Sequence, residues 1–187
     1  ADFWANKWAD LLRPNPYRVG IKAVWMLDAW LREAFRENKP YDQFVRELVT
    51  ARGSSWRNGA TVIFRDRPLT VEIASSVSQM FLGVRLECAK CHHHPFEVWS
   101  QDDFFGFAAF FSRVGRRGGL SPPISGGEEL IFTKSSGQIE HGRTGVPVLP
   151  TVLNGPPLEL GAESDPRQVL ADWMTDESNP YFAKVMA

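Results

Sequence analysis

Apolar residues recur at helical spacing through most of the first 114 positions. Trp4, Trp8, Leu11 and Leu12 predict a helix over residues 1–12 with one buried stripe. Pro14 and Pro16 break it. A second helix, from about Gly20 to Arg36, has Val24, Leu27, Leu31, Ala34 and Phe35 on its inner face and ends at Asn38-Lys39-Pro40. Asp42 offers a cap for a third, short helix that buries Phe44, Val45, Leu48 and Val49 before Gly53. Gly53 to Pro68 reads as a loop with a short extended piece at Thr61–Phe64. Ile73, Val77, Met80, Phe81 and Val84 predict a fourth helix, capped by Thr70. Ser100 and Asp103 form a capping box for a fifth, which runs through Phe104, Phe107, Ala108 and Phe111 to Val114 and stops at Gly115.

Beyond Arg117 the pattern changes. Gly118 to Gly127 is rich in Gly, Pro and Ser and reads as a connection. Leu130–Thr133 and Gln138–His141 flank turn residues and predict a small hairpin. Pro-rich extended chain follows to Pro157. Asp165-Pro166 then opens a sixth helix with Val169, Leu170, Trp173 and Met174 inward, and Asn179-Pro180 begins another. The expected fold class is mainly α: a compact helical domain over 1–117, then a long irregular C-terminal arm with a minor β-hairpin. Residues 118–187 would be an inter-domain connection and the beginning of a second domain.

Composition narrows the function classes. A chain of 187 residues can bury one well-packed core with an appended segment. A net charge of −1 gives no electrostatic case for nucleic acid or a membrane surface. No run of 18 apolar residues occurs, so no membrane span is expected. Seven tryptophans and thirteen phenylalanines supply a largely aromatic core, and those nearest the cysteines can also wall a pocket.

The candidate chemistry is concentrated. Both cysteines and three of the four histidines fall in Cys88-Ala89-Lys90-Cys91-His92-His93-His94. Cys-x-x-Cys-His is the attachment signature of c-type haem. Two thiols three positions apart can each add to a vinyl group of one porphyrin, and the next histidine is placed under the iron. On this reading Cys88 and Cys91 hold one covalent haem and His92 is its axial ligand. Three alternatives stay open. A zinc or iron site of Cys88, Cys91, His92 and His94 packs four ligands into seven residues, and His141 could relieve that crowding. A thioredoxin-like pair belongs beside a βαβ pattern, which the helical flanks do not offer. A plain disulfide leaves the adjacent histidines without a role.

The run Val77–Glu87, the cysteine motif, His94-Pro95-Phe96-Glu97 and Trp99–Phe107 together resemble the planctomycete-type secreted cytochrome family. Trp30–Phe35, Glu37–Phe44, Glu140–Gly145, Leu170–Trp173 and Asn179–Ala183 extend the resemblance over nearly the whole chain. It implies a cytochrome-like domain of unknown function followed by a second planctomycete-secreted domain. It also implies a periplasmic or extracellular location, with this sequence an internal section of a longer secreted precursor. No established reaction comes with it.

The second axial position decides function, because a strong sixth ligand favours electron transfer and an open site permits small-molecule chemistry. His141, far from His92 in sequence, is the leading sixth-ligand candidate. Met80, Met174 and Met186 are outsiders with core packing as their default use. His94 is too near His92 to reach the opposite face of the ring, so it is expected to bond a propionate or backbone, or to orient the loop; His93 is expected at the surface. Arg52, Arg57, Arg65 and Arg67 are either solvated charges or partners for haem propionates, and Arg113, Arg116 and Arg117 either a solvated helix end or a docking patch for a propionate or an acidic partner. The expected function is an extracytoplasmic electron-transfer protein with a redox partner, or with further domains of its own precursor. The alternatives are a haem enzyme with an open iron site and a non-redox zinc scaffold.

Overall fold

The computed structural model describes residues 1–118 and 127–186, the side chain of Met186 excepted. Most of the expected connection at Gly118–Gly127 therefore lies outside the described residues, as does the Met186 side chain. The fold is mainly α with minor antiparallel strands. The chain forms two compact units that interleave in sequence: Ala1–Pro68 with Gly115–Thr133, and Leu69–Val114 with Lys134–Ala187.

The first unit opens with α1 (Asp2–Leu12), α2 (Pro16–Val19), α3 (Ile21–Arg36) and α4 (Tyr41–Val49). Ala5, Trp8 and Leu12 form the buried stripe of α1, whereas Trp4 and Leu11 stand in solvent, so the expected stripe is rotated by one position. Arg32 of α3 ties the two long helices together through Asp2 and Asn6 of α1. Phe44 of α4 is the hub of an aromatic cluster, with Trp8 edge-on at 4.8 Å and Trp30 stacked at 4.9 Å. Asp42 lies inside the first turn of α4 rather than capping it; Pro40 takes the cap position.

The stretch expected to be extended at Thr61–Phe64 is helical. A 3-10 turn at Gly59–Thr61 leads into α5 (Val62–Asp66). Asn58 initiates it by accepting the Ala60 amide, and every residue from Thr61 to Asp66 is buried. A short run buried on all sides carries no period by which a helix and a strand can be told apart. Gly59 has a reason of its own: a β-carbon there would stand 2.1 Å from the Met26 carbonyl oxygen of α3.

The sheet of this unit runs β1 (Gly53–Ser54), β3 (Glu129–Thr133), β2 (Val114–Gly118). β3 pairs antiparallel with β1, Gly53 opposite Ile131. The expected hairpin between 130–133 and 138–141 therefore does not form. β4 (Ile139–Glu140) pairs instead with β5 (Pro147–Val148).

In the second unit α6 (Thr70–Leu82) buries Ile73, Val77 and Phe81 and ends at Gly83 in the left-handed region. Its cap is Leu69, whose amide donates to Glu72, so Thr70 is the first helical residue. A 3-10 helix (Leu86–Lys90) and an exposed loop lead to α7 (Gln101–Ala109). The capping box holds: Ser100 Oγ accepts the Asp103 amide and Asp103 accepts the Ser100 amide. α7 stops well short of Val114, because Val114 opens β2. Phe104, Phe105, Phe107, Phe110 and Phe111 are all buried, and the α7 rings form the core of this unit.

The arm that follows is laid on α7 through two glycines. A β-carbon on Gly106 would stand 2.7 Å from Thr151, whose amide donates to the Gly106 carbonyl at 3.0 Å. A β-carbon on Gly142 would stand 2.7 Å from the Phe105 ring. Arg113 fastens the far end of the arm by donating to the carbonyls of Leu160, Gly161 and Ser164. α8 (Pro166–Met174) begins as expected, with Asp165 accepting the Arg167 amide and Pro166 in the first turn. In place of the further helix at Asn179-Pro180 there are turns and a 3-10 helix at Lys184–Met186.

Candidate functional site

Cys88 sits on the 3-10 helix at Leu86–Lys90, and Cys91 follows directly as its C-cap. That helix is anchored by Leu86 and Ala89, both fully buried, which turns the residues between them outward. Both cysteines are free thiols, Cys88 half-buried and Cys91 exposed. Gln101 at the start of α7 donates to the Lys90 carbonyl at 3.0 Å and holds the motif from behind.

His92 is exposed, and its Nδ1 lies 2.6 Å from the His93 carbonyl oxygen. A carbonyl only accepts, so Nδ1 carries the proton and Nε2 presents its lone pair. His94 turns the loop: its Nδ1 accepts the amides of Phe96 (3.3 Å) and Glu97 (3.0 Å), while its own amide donates to the Trp99 carbonyl at 2.8 Å. His93 is exposed, as expected. Phe96 and Val98 are 91% and 82% exposed, so two large apolar side chains stand in solvent within a few residues of the thiols. No pattern singles them out in advance, because they follow a motif rather than a period.

His141 lies elsewhere in this unit, on the arm. It is 5% exposed, and its ring packs on Phe105 at 5.0 Å. Nδ1 accepts the Arg143 and Thr144 amides at 3.2 and 3.4 Å, so the proton resides on Nε2 and is directed at Asp102 Oδ1, 3.3 Å away. Nδ1 is thus engaged, and Nε2 would offer a metal a lone pair only on losing its proton. The pair lines a cavity of about 540 Å³ with Val146, Val148 and Leu149. Asp102 was hidden in the sequence by its neighbour Asp103, whose capping role accounts for an acidic residue at this helix start.

Met80 is half-buried on α6 and Met174 is in the core. Arg65 is buried against Ser55 and Glu129, and Arg67 donates to the Leu12 carbonyl and to Asp66. Arg116 donates to the carbonyls of Phe64 and Arg67. Together with Arg113, these guanidiniums stabilise the fold rather than waiting for an anion. Of the seven arginines weighed as propionate partners, only Arg52, Arg57 and Arg117 are exposed.

Among the described residues no three His, Cys, Asp or Glu side chains converge as a metal site would need. Cys88, Cys91, His92 and His94 accordingly do not form a tetrahedral cage in this arrangement. The motif thus presents two free thiols and an exposed imidazole, with exposed apolar side chains a few residues on.

The family PSCyt2, described as "Protein of unknown function (DUF1549)", matches residues 1–116, well over half of the chain. The chain belongs to this planctomycete-type family. The matched span includes the cysteine motif and α7; His141 lies beyond it. No curated protein and no solved structure matches the chain. No helix among the described residues is long and apolar enough to cross a membrane.

Proposed function

We propose that this PSCyt2 chain is a c-type haem protein that transfers electrons outside the cytoplasm, with one haem on Cys88 and Cys91 and His92 as axial ligand. The observation that carries the reading is the tautomer of His92 beside two free thiols. Its Nδ1 proton is held by the His93 carbonyl, which supports a role for Nε2 as the nitrogen that would take the metal. That hydrogen bond orients the ring, as outer-sphere partners of metal-bound histidines do. Haem bound there supplies a ferric–ferrous couple, and the thioethers keep it from dissociating in an extracellular setting. A redox partner protein, or further domains of the same precursor, receives the electron.

A second reading, an open iron site, is favoured by one observation: His141 Nδ1 already accepts two turn amides, and its Nε2 lies 3.3 Å from Asp102 Oδ1. With His141 retained on Asp102 the sixth position stays accessible, and peroxide or small-molecule chemistry becomes possible. In the relay reading His141 would release its Nε2 proton, with Asp102 or solvent as acceptor, and present that nitrogen to the iron.

Pyridine haemochrome analysis of the exported protein tests the common premise, with haem expected to stay on the polypeptide through acid-acetone extraction. A colourless preparation overturns it, and stoichiometric zinc in such a preparation points to the scaffold alternative. If haem is present, carbon monoxide separates the two readings: ferrous protein that ignores it is a relay, and one that binds it has an open iron.

A further inference from the structure

The cavity of about 540 Å³ beside His141 is lined by no residue of the cysteine motif. Its size falls within the usual range for a small-molecule cleft, roughly 300–1,000 Å³. Val146, Pro147, Val148 and Leu149 give it an apolar wall, and the side chains of Val146 and Leu149 are exposed. Asp102, Asp103 and His141 supply its titratable groups.

Backbone hydrogen bonds set the wall. The His141 amide donates to the Val146 carbonyl at 2.9 Å, and the Gly145 amide to the His141 carbonyl at 2.8 Å. Val148 lies opposite Ile139 in the β4–β5 ladder, and the Thr151 amide holds the arm to Gly106. The polar groups are one-sided. Asp103 is spent on the α7 cap, where its Oδ2 accepts the Ser100 amide and hydroxyl. His141 Nε2 stands 3.3 Å from Asp102 Oδ1, whereas Asp102 Oδ2 makes no hydrogen bond among the described residues. The Thr151 hydroxyl donates to the Leu149 carbonyl, which leaves its oxygen as an acceptor. Among the described residues of the lining there is no lysine or arginine.

We infer that this cavity binds a small organic cation, a protonated amine that carries an apolar group: the ammonium pairs with Asp102, and the apolar group lies on Val146, Val148 and Leu149. Charge decides the class of ligand. A carboxylate with a free oxygen and no cation in the lining attracts a positive ligand and repels an anionic one. The wall decides the rest, because an alkyl or aryl group gains by leaving water for it and a bare hydrated ion does not. The His141 N–H beside Oδ1 orients the carboxylate and leaves Oδ2 to accept a charge-assisted hydrogen bond from the ligand. Binding of this kind needs no haem, so the inference stands apart from the function proposed above.

The test titrates benzylammonium into the full chain at neutral pH and low salt, read by ligand-observed NMR, with benzyl alcohol and benzoate as neutral and anionic counterparts. Benzylammonium is expected to saturate at about millimolar concentration. Benzyl alcohol should bind about tenfold more weakly, and benzoate more weakly still. Asp102→Asn, at an exposed position, should weaken benzylammonium about tenfold and erase its advantage over the alcohol. Val146→Ser, also exposed, should weaken amine and alcohol alike by about threefold, since it removes only part of the apolar wall. Urea midpoints equal to the parent's in both variants show that the fold is kept. No saturable binding of benzylammonium by the parent, equal affinity for amine and alcohol, or an unchanged affinity in either variant overturns the assignment.

Discussion

His92 and His141 belong to the same compact unit and both sit in tight turns, yet they are prepared for opposite work. His92 is in solvent, protonated on Nδ1 through a backbone carbonyl, which leaves the lone pair on Nε2. His141 is buried, protonated on Nε2, with Nδ1 taken by two backbone amides and Nε2 directed at Asp102. A backbone acceptor in one turn and backbone donors in the other decide which nitrogen has a lone pair to give. The comparison teaches that the tautomer, set by the local turn, says more about ligand capacity than the presence of a histidine.

The sharpest way to break the comparison is at the thiols. Cys88→Ser with Cys91→Ser should abolish covalent haem entirely, whereas His141→Asn should keep it, both read by haemochrome analysis. Equal loss in the two proteins would mean that the His141 turn takes part in attachment. Gly142→Val should be the next largest effect. Its side chain would drive into the Phe105 ring, and overpacking of this kind costs about 1–3 kcal/mol, measurable as a lower urea midpoint. His141→Asn in the haem-free chain should cost about 1–2 kcal/mol, because the turn amides and the ring packing on Phe105 lose their partner. Ser100→Ala should cost about 1 kcal/mol by removing the N-cap of α7. His92→Asn in the haem-free chain should stay within about 0.5 kcal/mol of the parent, as expected of an exposed side chain. A large loss there would show that His92 braces the fold.

Much of the helical fold was legible because α1, α3, α4, α6 and α8 each turn a periodic apolar stripe to a core. The failures have physical causes. α5 is buried on every side, so its residues show no alternation and no helical period. β3 looked like half of a hairpin with 138–141, but it sits between β2 and β1, and β1 lies about 75 residues earlier, a non-local pairing that leaves no local trace. α7 was drawn too long because its aromatic run continues past the last helical residue into the turn before β2. The cysteine motif was readable because its chemistry is local in sequence. Asp102 as the partner of His141 was not, since that contact exists only once the arm has been laid on α7 through Gly106 and Gly142.

The interleaving of the two units bears on how the chain is made. The four-helix opening of the first unit leaves the ribosome well before the middle strand of its sheet, β3, which comes only at residues 129–133. At roughly 5–20 residues per second, the β1 edge waits several seconds for its neighbour while the cysteine motif is already emerging. Fragments cut after residue 117 lack that strand, so the long polypeptide is the natural object for refolding and for limited digestion.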